Sequence, residues 1–185
     1  MLFRSLLKVM EEPPEGVLFL LTADSLAGVL PTIRSRCISF AVAPVSPEDC
    51  ARYCTAQGVG AKDAALYSAL FDGHIGTVLA AARDEARREQ VDRALALAKA
   101  AAARDSYAAA VLLAAYEKDK AGASALLADF RAVAAAGLRD SPHSPVEGET
   151  ARKALGAADA AMQQISAQVN PKIVLSVLAA KFRTF

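Results

Sequence analysis

Tryptophan is absent from this sequence, and aromatic residues make up only 6% of it. Its core must therefore be aliphatic, and its helices must lie close together. Alanine supplies much of the 54% hydrophobic content, and alanine contributes helix propensity more than buried area. An excess of one charge is missing as well. The 21 basic residues are matched by 20 acidic ones, for a formal net charge of +1. A surface that gripped many phosphates would show a basic excess or a basic stripe, so any contact with DNA is expected to be indirect. The three cysteines, Cys37, Cys50 and Cys54, are odd in number and lack the paired spacing of a secreted disulfide framework. A reducing, cytoplasmic setting is expected. Residues 1–12 hold no long apolar core ahead of a small-residue cleavage site, so they do not read as a signal peptide. No uninterrupted apolar run approaches the roughly 18 residues that span a bilayer, and no membrane association is expected.

Two nucleotide-handling motifs are missing too. There is no G-x-x-x-x-G-K-[ST] loop to cradle phosphates through backbone donors and a lysine. No acidic cluster follows a strand-like run in a way that would hold magnesium. This chain is not expected to bind a cofactor or a metal, or to hydrolyse ATP alone.

What is present divides into an α/β-like start and a helical remainder. Leu2, Phe3, Leu6, Leu7 and Met10 share one helical face, with Arg4, Lys8 and Glu11 opposite. Pro13-Pro14 should end that helix, because the residue before a proline is pushed out of the helical region. Val17 to Leu21 is a continuous apolar run of strand length, the pattern of a strand buried on both faces. Thr22-Ala23-Asp24 follows at its carboxyl end, where open α/β sheets bind ligands. Leu30 to Arg36 reads as a turn or short helix with Pro31 near its start. Cys37 to Val42 alternates in polarity and reads as a second strand. One helix and two strands cannot close a sheet, so the rest of an α/β domain is expected upstream of Met1.

From Ser46 onward the pattern is helical. Ser46-Pro47-Glu48-Asp49 combines a capping serine, a first-turn proline and acids at the positive helix end. Short helices are expected to end at Gly58, to run from Lys62 to Phe71, and to begin near Gly76-Thr77. Longer alanine-rich helices should then cover 85–102, 106–119, 121–139, 150–168 and 171–183, the last opened by Asn170-Pro171. The Pro- and Ser-rich segment 140–148 is expected to be a mobile loop with His143 facing solvent.

The run Ser5-Leu6-Leu7-Lys8-Val9-Met10-Glu11-Glu12-Pro13-Pro14, with Leu30-Pro31-Thr32-Ile33-Arg34-Ser35-Arg36-Cys37 after it, resembles the "LLK-LEEPP … LPTI-SRC" signature of clamp-loader AAA+ ATPase subunits. Within that family it is similar to the delta-prime type of bacterial DNA polymerase III. The ending Asn170-Pro171-Lys172 with Val174-Leu175-Ser176-Val177-Leu178 resembles the last helix of the same subunits. The resemblance implies a mainly α chain in three parts: an α/β core remnant over 1–44, a helical lid over 45–84, and a collar or oligomerisation bundle over 85–185. It implies that Arg36 is an arginine finger acting in trans on ATP and magnesium held by a neighbouring subunit. Ser35, Cys37, Thr32 and Pro31 would form the supporting motif, with Ser35 orienting the turn and Cys37 filling a buried slot. The implied partners are the delta and gamma/tau subunits, with the sliding clamp and primed DNA reached through the assembled complex.

Each of these residues also has a plainer reading. An arginine near a strand start is commonly a solvated or salt-bridged charge, and Arg34 is read that way. Thr22 is either a nucleotide sensor, as the resemblance implies, or a capping residue. Thr77 stands where active relatives carry an arginine in "G-x-x-G-R-A-L", which implies a subunit that binds no nucleotide productively. Cys50 and Cys54 lie one helical turn apart; a structural zinc site wants four ligands, so two small buried hydrophobes are expected. Glu11 and Glu12 point about 100° apart on a helix and read as a surface pair at its end. Two other functions remain open: a piece of an ATP-hydrolysing gamma/tau subunit, and a helical adaptor with no part in catalysis.

Overall fold

A computed structural model describes residues 2–185 apart from Asp24 and Pro44, with side chains described from residue 7 onward. Asp24, at the end of the first expected strand, and the apolar face drawn by the side chains of Leu2, Phe3 and Leu6 lie outside the described residues. The chain divides into two compact units, Met1–Ala43 and Pro44–Phe185.

In the first unit, α1 (Leu2–Glu11) stops just before Pro13-Pro14. A 3-10 turn (Leu26–Gly28) and the four-residue α2 (Pro31–Arg34) follow. Ser25 accepts from the Ala27 N–H at the start of the 3-10 turn, and Pro31 occupies the first turn of α2, where its missing N–H costs nothing. The two expected strands do not form among the described residues. Residues 17–23 and 37–43 form neither helix nor strand, and their backbone hydrogen bonds are turn bonds from Val17 and Cys37 rather than a ladder. Leu18, Leu20, Ile38, Phe40 and Val42 are each more than four-fifths exposed, opposite to the burial that their apolar pattern predicts. The reason is that a strand's N–H and C=O groups must be satisfied by a neighbouring strand, and two strands alone are marginal in water.

The second unit is helical throughout its regular structure. Three short helices, α3 (Pro47–Ala56), α4 (Ala61–Leu70) and α5 (Ile75–Arg83), pack on one another and against two long ones, α6 (Glu85–Ala102) and α8 (Lys120–Leu138). Ser46 caps α3 by accepting from the Asp49 N–H at 3.1 Å. Gly73 holds a left-handed φ of 73° where the chain returns past Val45, and a Cβ there would sit 1.8 Å from the Val45 carbonyl oxygen. Only glycine fits that approach.

The long-helix layer is completed by α7 (Ser106–Ala114), α9 (Gly148–Ser166) and α10 (Pro171–Lys181), with a terminal 3-10 turn (Phe182–Thr184). Aspartates 84, 105 and 119 and Asn170 cap α6, α7, α8 and α10 by accepting from backbone N–H groups of the first turn. α7 ends at Ala114 rather than continuing to 119 as expected: residues 115–118 are wound into tight turns, with Tyr116, Glu117 and Asp119 N–H groups donating three residues back. Asp119 then takes the dihedrals of a cap, φ −113° and ψ 90°, and belongs to the start of α8. On α9 the buried residues Ala151, Ala154, Ala158, Ala161 and Ile165 recur at spacings of three and four, and their small side chains let α9 lie close against α8. α8 is long and apolar enough by length and composition to cross a membrane. Its burial against α6 and α9 is that of a core helix. Phe130, Phe182 and Phe185 stack in series, with ring centroids 5.8 and 4.9 Å apart. They close the bundle where aromatic residues are scarce.

Residues 140–147 form an irregular loop, as expected, and the loop is anchored to the bundle at its centre. Ser144 Oγ lies 2.9 Å from the carbonyl oxygens of both Val133 and Val146, and Val146 is buried. Gly137 admits the loop, since a Cβ there would lie 2.0 Å from the Val146 oxygen. His143 is half-buried rather than solvent-facing.

One polar cluster ties the short helices to the long ones. Asp129, 4% exposed on the otherwise apolar face of α8, accepts from both terminal nitrogens of Arg87 and from Gln90 Nε2 at 2.7 Å. The Arg87 guanidinium lies 5.5 Å from the Phe71 ring centroid, a cation–π distance. The hydrogen bonds that Arg87 donates to Asp129 hold its guanidinium above the usual range, against the opposing effect of burial. Removing one member of a buried pair leaves an uncompensated charge. Asp129→Ala should therefore lower stability by about 3 kcal/mol, or roughly 6–12 °C in Tm. Asp159→Ala, which breaks the half-exposed pair with Arg131, should cost at most about 1 kcal/mol. Thermal unfolding followed by circular dichroism checks both.

Candidate functional site

The turn after α2 brings the predicted site residues together. Ser35 ends α2, its N–H donating to the Pro31 carbonyl, and the Arg36 N–H donates to Ile33 O at 3.0 Å. This tight winding turns the Arg36 side chain back over the helix. Its Nη1 donates to Thr32 O at 2.7 Å and to Ser35 Oγ at 3.2 Å. Ser35 Oγ in turn donates to Thr32 O at 3.2 Å. Thr32 thus contributes its backbone oxygen and Ser35 its hydroxyl to orienting the guanidinium, while Pro31 starts the short helix that presents both.

The other edge of the guanidinium is occupied by a residue that the sequence reading placed elsewhere. Arg36 Nε donates to Glu11 Oε1 at 2.6 Å, and Nη2 donates to the same oxygen. Glu11 ends α1, so this pair joins α1 to the α2 turn within the first unit. The Arg36 side chain remains 32% exposed and that of Glu11 46%. No sequence periodicity links positions 25 residues apart across a double proline, so Glu11 could be recognised only from the structure. At this exposure the ion pair is worth about 0–1 kcal/mol.

The other expected site residues fall away from this group. Arg34 is exposed beside a shallow open hollow of about 350 Å³, lined also by Pro31, Ser35 and Ser39. Cys37 is half-buried rather than enclosed in a core slot, because the extended run that follows it has no sheet to pack on. Thr22 is exposed in the first extended run and makes no hydrogen bond to the Arg36 turn among the described residues. In the second unit, Thr77 sits in the first turn of α5, partly exposed. His74 before it donates from Nδ1 to Phe71 O at 2.6 Å.

Residues 4–46 match the family model described as DNA polymerase III, delta subunit. The match supports a clamp-loader-type family and a place in the clamp-loader complex of DNA replication. It spans both sides of the Glu11–Arg36 pair and the whole Pro31–Cys37 turn. No curated protein and no solved structure matches the chain.

Two further features concern binding chemistry. Cys50 and Cys54 are fully buried on α3 and free. Burial, and then the neighbouring Cys50, push the Cys54 thiol above its ordinary range, with Arg83 opposing. Among the described residues no group of three or more metal-binding side chains gathers. The segment Ser106 to Tyr116 carries no charge, and α7 is apolar on its outer as well as its inner face. α7 and α10 pack together, and each leaves an apolar pair one turn apart in solvent. On α7 these are Tyr107 and Val111, 79% and 58% exposed; on α10 they are Ile173 and Val177, 59% and 46% exposed. A helix apolar all round is a helix that belongs in an interior.

The difference in burial predicts thiol reactivity. In the native protein an aromatic disulfide reagent should label Cys37 promptly, whereas Cys50 and Cys54 should react only after unfolding. Release of three thiols at one fast rate would contradict the packing of α3.

Proposed function

We propose that the chain is a delta-prime-like subunit of the bacterial DNA polymerase III clamp loader. On this reading it lends Arg36 to a neighbouring ATPase subunit. The observation that carries this is the Arg36 turn: a guanidinium held in a fixed plane by Thr32 O and Ser35 Oγ at a solvent-facing edge, inside the segment that matches the clamp-loader family. Charge on a transferring phosphoryl group gathers on its equatorial oxygens. An arginine brought in by a partner is worth about 10³–10⁵ in rate, or roughly 4–7 kcal/mol. That exceeds the about 0–1 kcal/mol holding Arg36 on an exposed Glu11, so the guanidinium can exchange Glu11 for a nucleotide.

The remaining parts of the proposal follow the same physical logic. The unpaired apolar runs 17–21 and 37–42 belong to an α/β nucleotide-binding core completed by further strands, which would cover the leucines and phenylalanines that now face water. α3–α5 form the lid, with Thr77 in place of a phosphate-touching arginine. The long helices form the collar, and the open apolar pairs on α7 and α10 are surfaces for the delta and gamma/tau subunits. ATP and magnesium are held by those neighbours. The sliding clamp and primed DNA are engaged by the assembled complex, in the cytoplasm. A second reading, a helical adaptor without a catalytic part, is favoured by one observation, the engagement of Arg36 by Glu11.

Arg36→Ala in the reconstituted complex separates the two. Under the finger reading, ATP hydrolysis at the facing site falls by about 10³-fold or more, while assembly, followed by gel filtration, persists. Unchanged turnover in an intact complex supports the adaptor.

A further inference from the structure

We propose that Glu11 is a parking ligand for Arg36: it occupies the arginine until a phosphoryl oxygen displaces it, and so restrains hydrolysis before the complex is fully engaged. This rests on the reading of Arg36 as a finger and assigns it a regulator in the same chain.

The inference comes from counting donors. An arginine has five N–H donors, and it grips an anion best through two parallel N–H groups on one edge. Four donors of Arg36 are in use at home: Nε and one Nη2 proton on Glu11 Oε1, and two from Nη1 on Thr32 O and Ser35 Oγ. One Nη2 proton is left, and no complete edge is free. A phosphate must therefore take an edge from one of the two sets of acceptors.

The two sets differ in how easily they can leave. Thr32 O is backbone in α2, and Ser35 Oγ is tied to it, so these acceptors cannot themselves move aside without unwinding the turn. Glu11 holds the Nε/Nη2 edge through a half-exposed side chain on the last residue of α1. A rotation about its own bonds releases the edge with no backbone change. The exchange is like for like, one anionic oxygen acceptor for another. The fixed half keeps the guanidinium plane aimed while the releasable half is swapped. Without a nucleotide opposite, the carboxylate neutralises the finger and keeps it from other anions.

The test is Glu11→Gln in the reconstituted complex containing the full chain, with Arg36→Ala and the double variant beside it. Glutamine keeps the length of the side chain and loses its charge. Parking predicts a roughly two- to fivefold higher kcat without DNA, the range an exposed ion pair can supply, with KM for ATP unchanged. The double variant should be as slow as Arg36→Ala alone. Damage to the fold would lower kcat, so a rise cannot come from it. A kcat for Glu11→Gln equal to wild type, or lower, overturns the parking role. If Arg36→Ala itself leaves turnover intact, the finger reading has failed first, and this inference falls with it.

Discussion

Backbone hydrogen bonding decides which parts of this chain are complete. A helix satisfies its own N–H and C=O groups, so residues 45–185 can close on themselves once the helix ends are capped and the alanine faces are packed. A strand cannot do this alone. The runs 17–21 and 37–42 have the composition of buried strands and the exposure of loops, because no neighbouring strand meets them among the described residues. The result is a chain whose two units differ in kind. One has a closed core in which Asp129, Arg87 and Phe71 tie short helices to long ones. The other is held by turns and by the Glu11–Arg36 pair, and it leaves apolar side chains exposed.

That difference bears on function. On the proposed reading, chemistry is delivered from the open unit. Arg36 is aimed by two oxygens of its own turn and neutralised by a carboxylate at the end of α1. The arrangement keeps a charge ready without committing it, since an exposed ion pair contributes little and a phosphoryl transition state contributes much. Among its described residues the closed unit presents no such aimed arginine. What it offers is uncharged, exposed helix faces on α7 and α10, which on the same reading serve assembly rather than catalysis.

Local signals in the sequence were enough for most of the helices. Ser46 and Asn170 mark their helix starts by residue type, and Leu126, Phe130 and Val133 on α8 and Val174 and Leu178 on α10 are buried at the three-and-four spacing of a helix face. Where tertiary context decides, the sequence reading failed. Asp119 could be read as the last residue of one helix or the cap of the next, and only the extended dihedrals it needs make it the cap. The polar loop around Ser144 is anchored because its hydroxyl finds two backbone oxygens and Val146 finds the core. No local pattern encodes either contact. Asp129 left a usable signal, a lone carboxylate on an apolar helix face, which requires a partner. Glu11 left none, because beside Glu12 at a helix end it has the pattern of a solvated charge. The Arg36 turn was legible through its motif, whereas its occupancy was not.

The most direct measurement is a structure of the assembled clamp loader bound to an ATP transition-state analogue. The account predicts Arg36 within hydrogen-bonding distance of the analogue's terminal group in the adjacent subunit, still contacting Thr32 O, with the Glu11 carboxylate turned into solvent. An Arg36 that remains on Glu11 while another side chain contacts the analogue would contradict it.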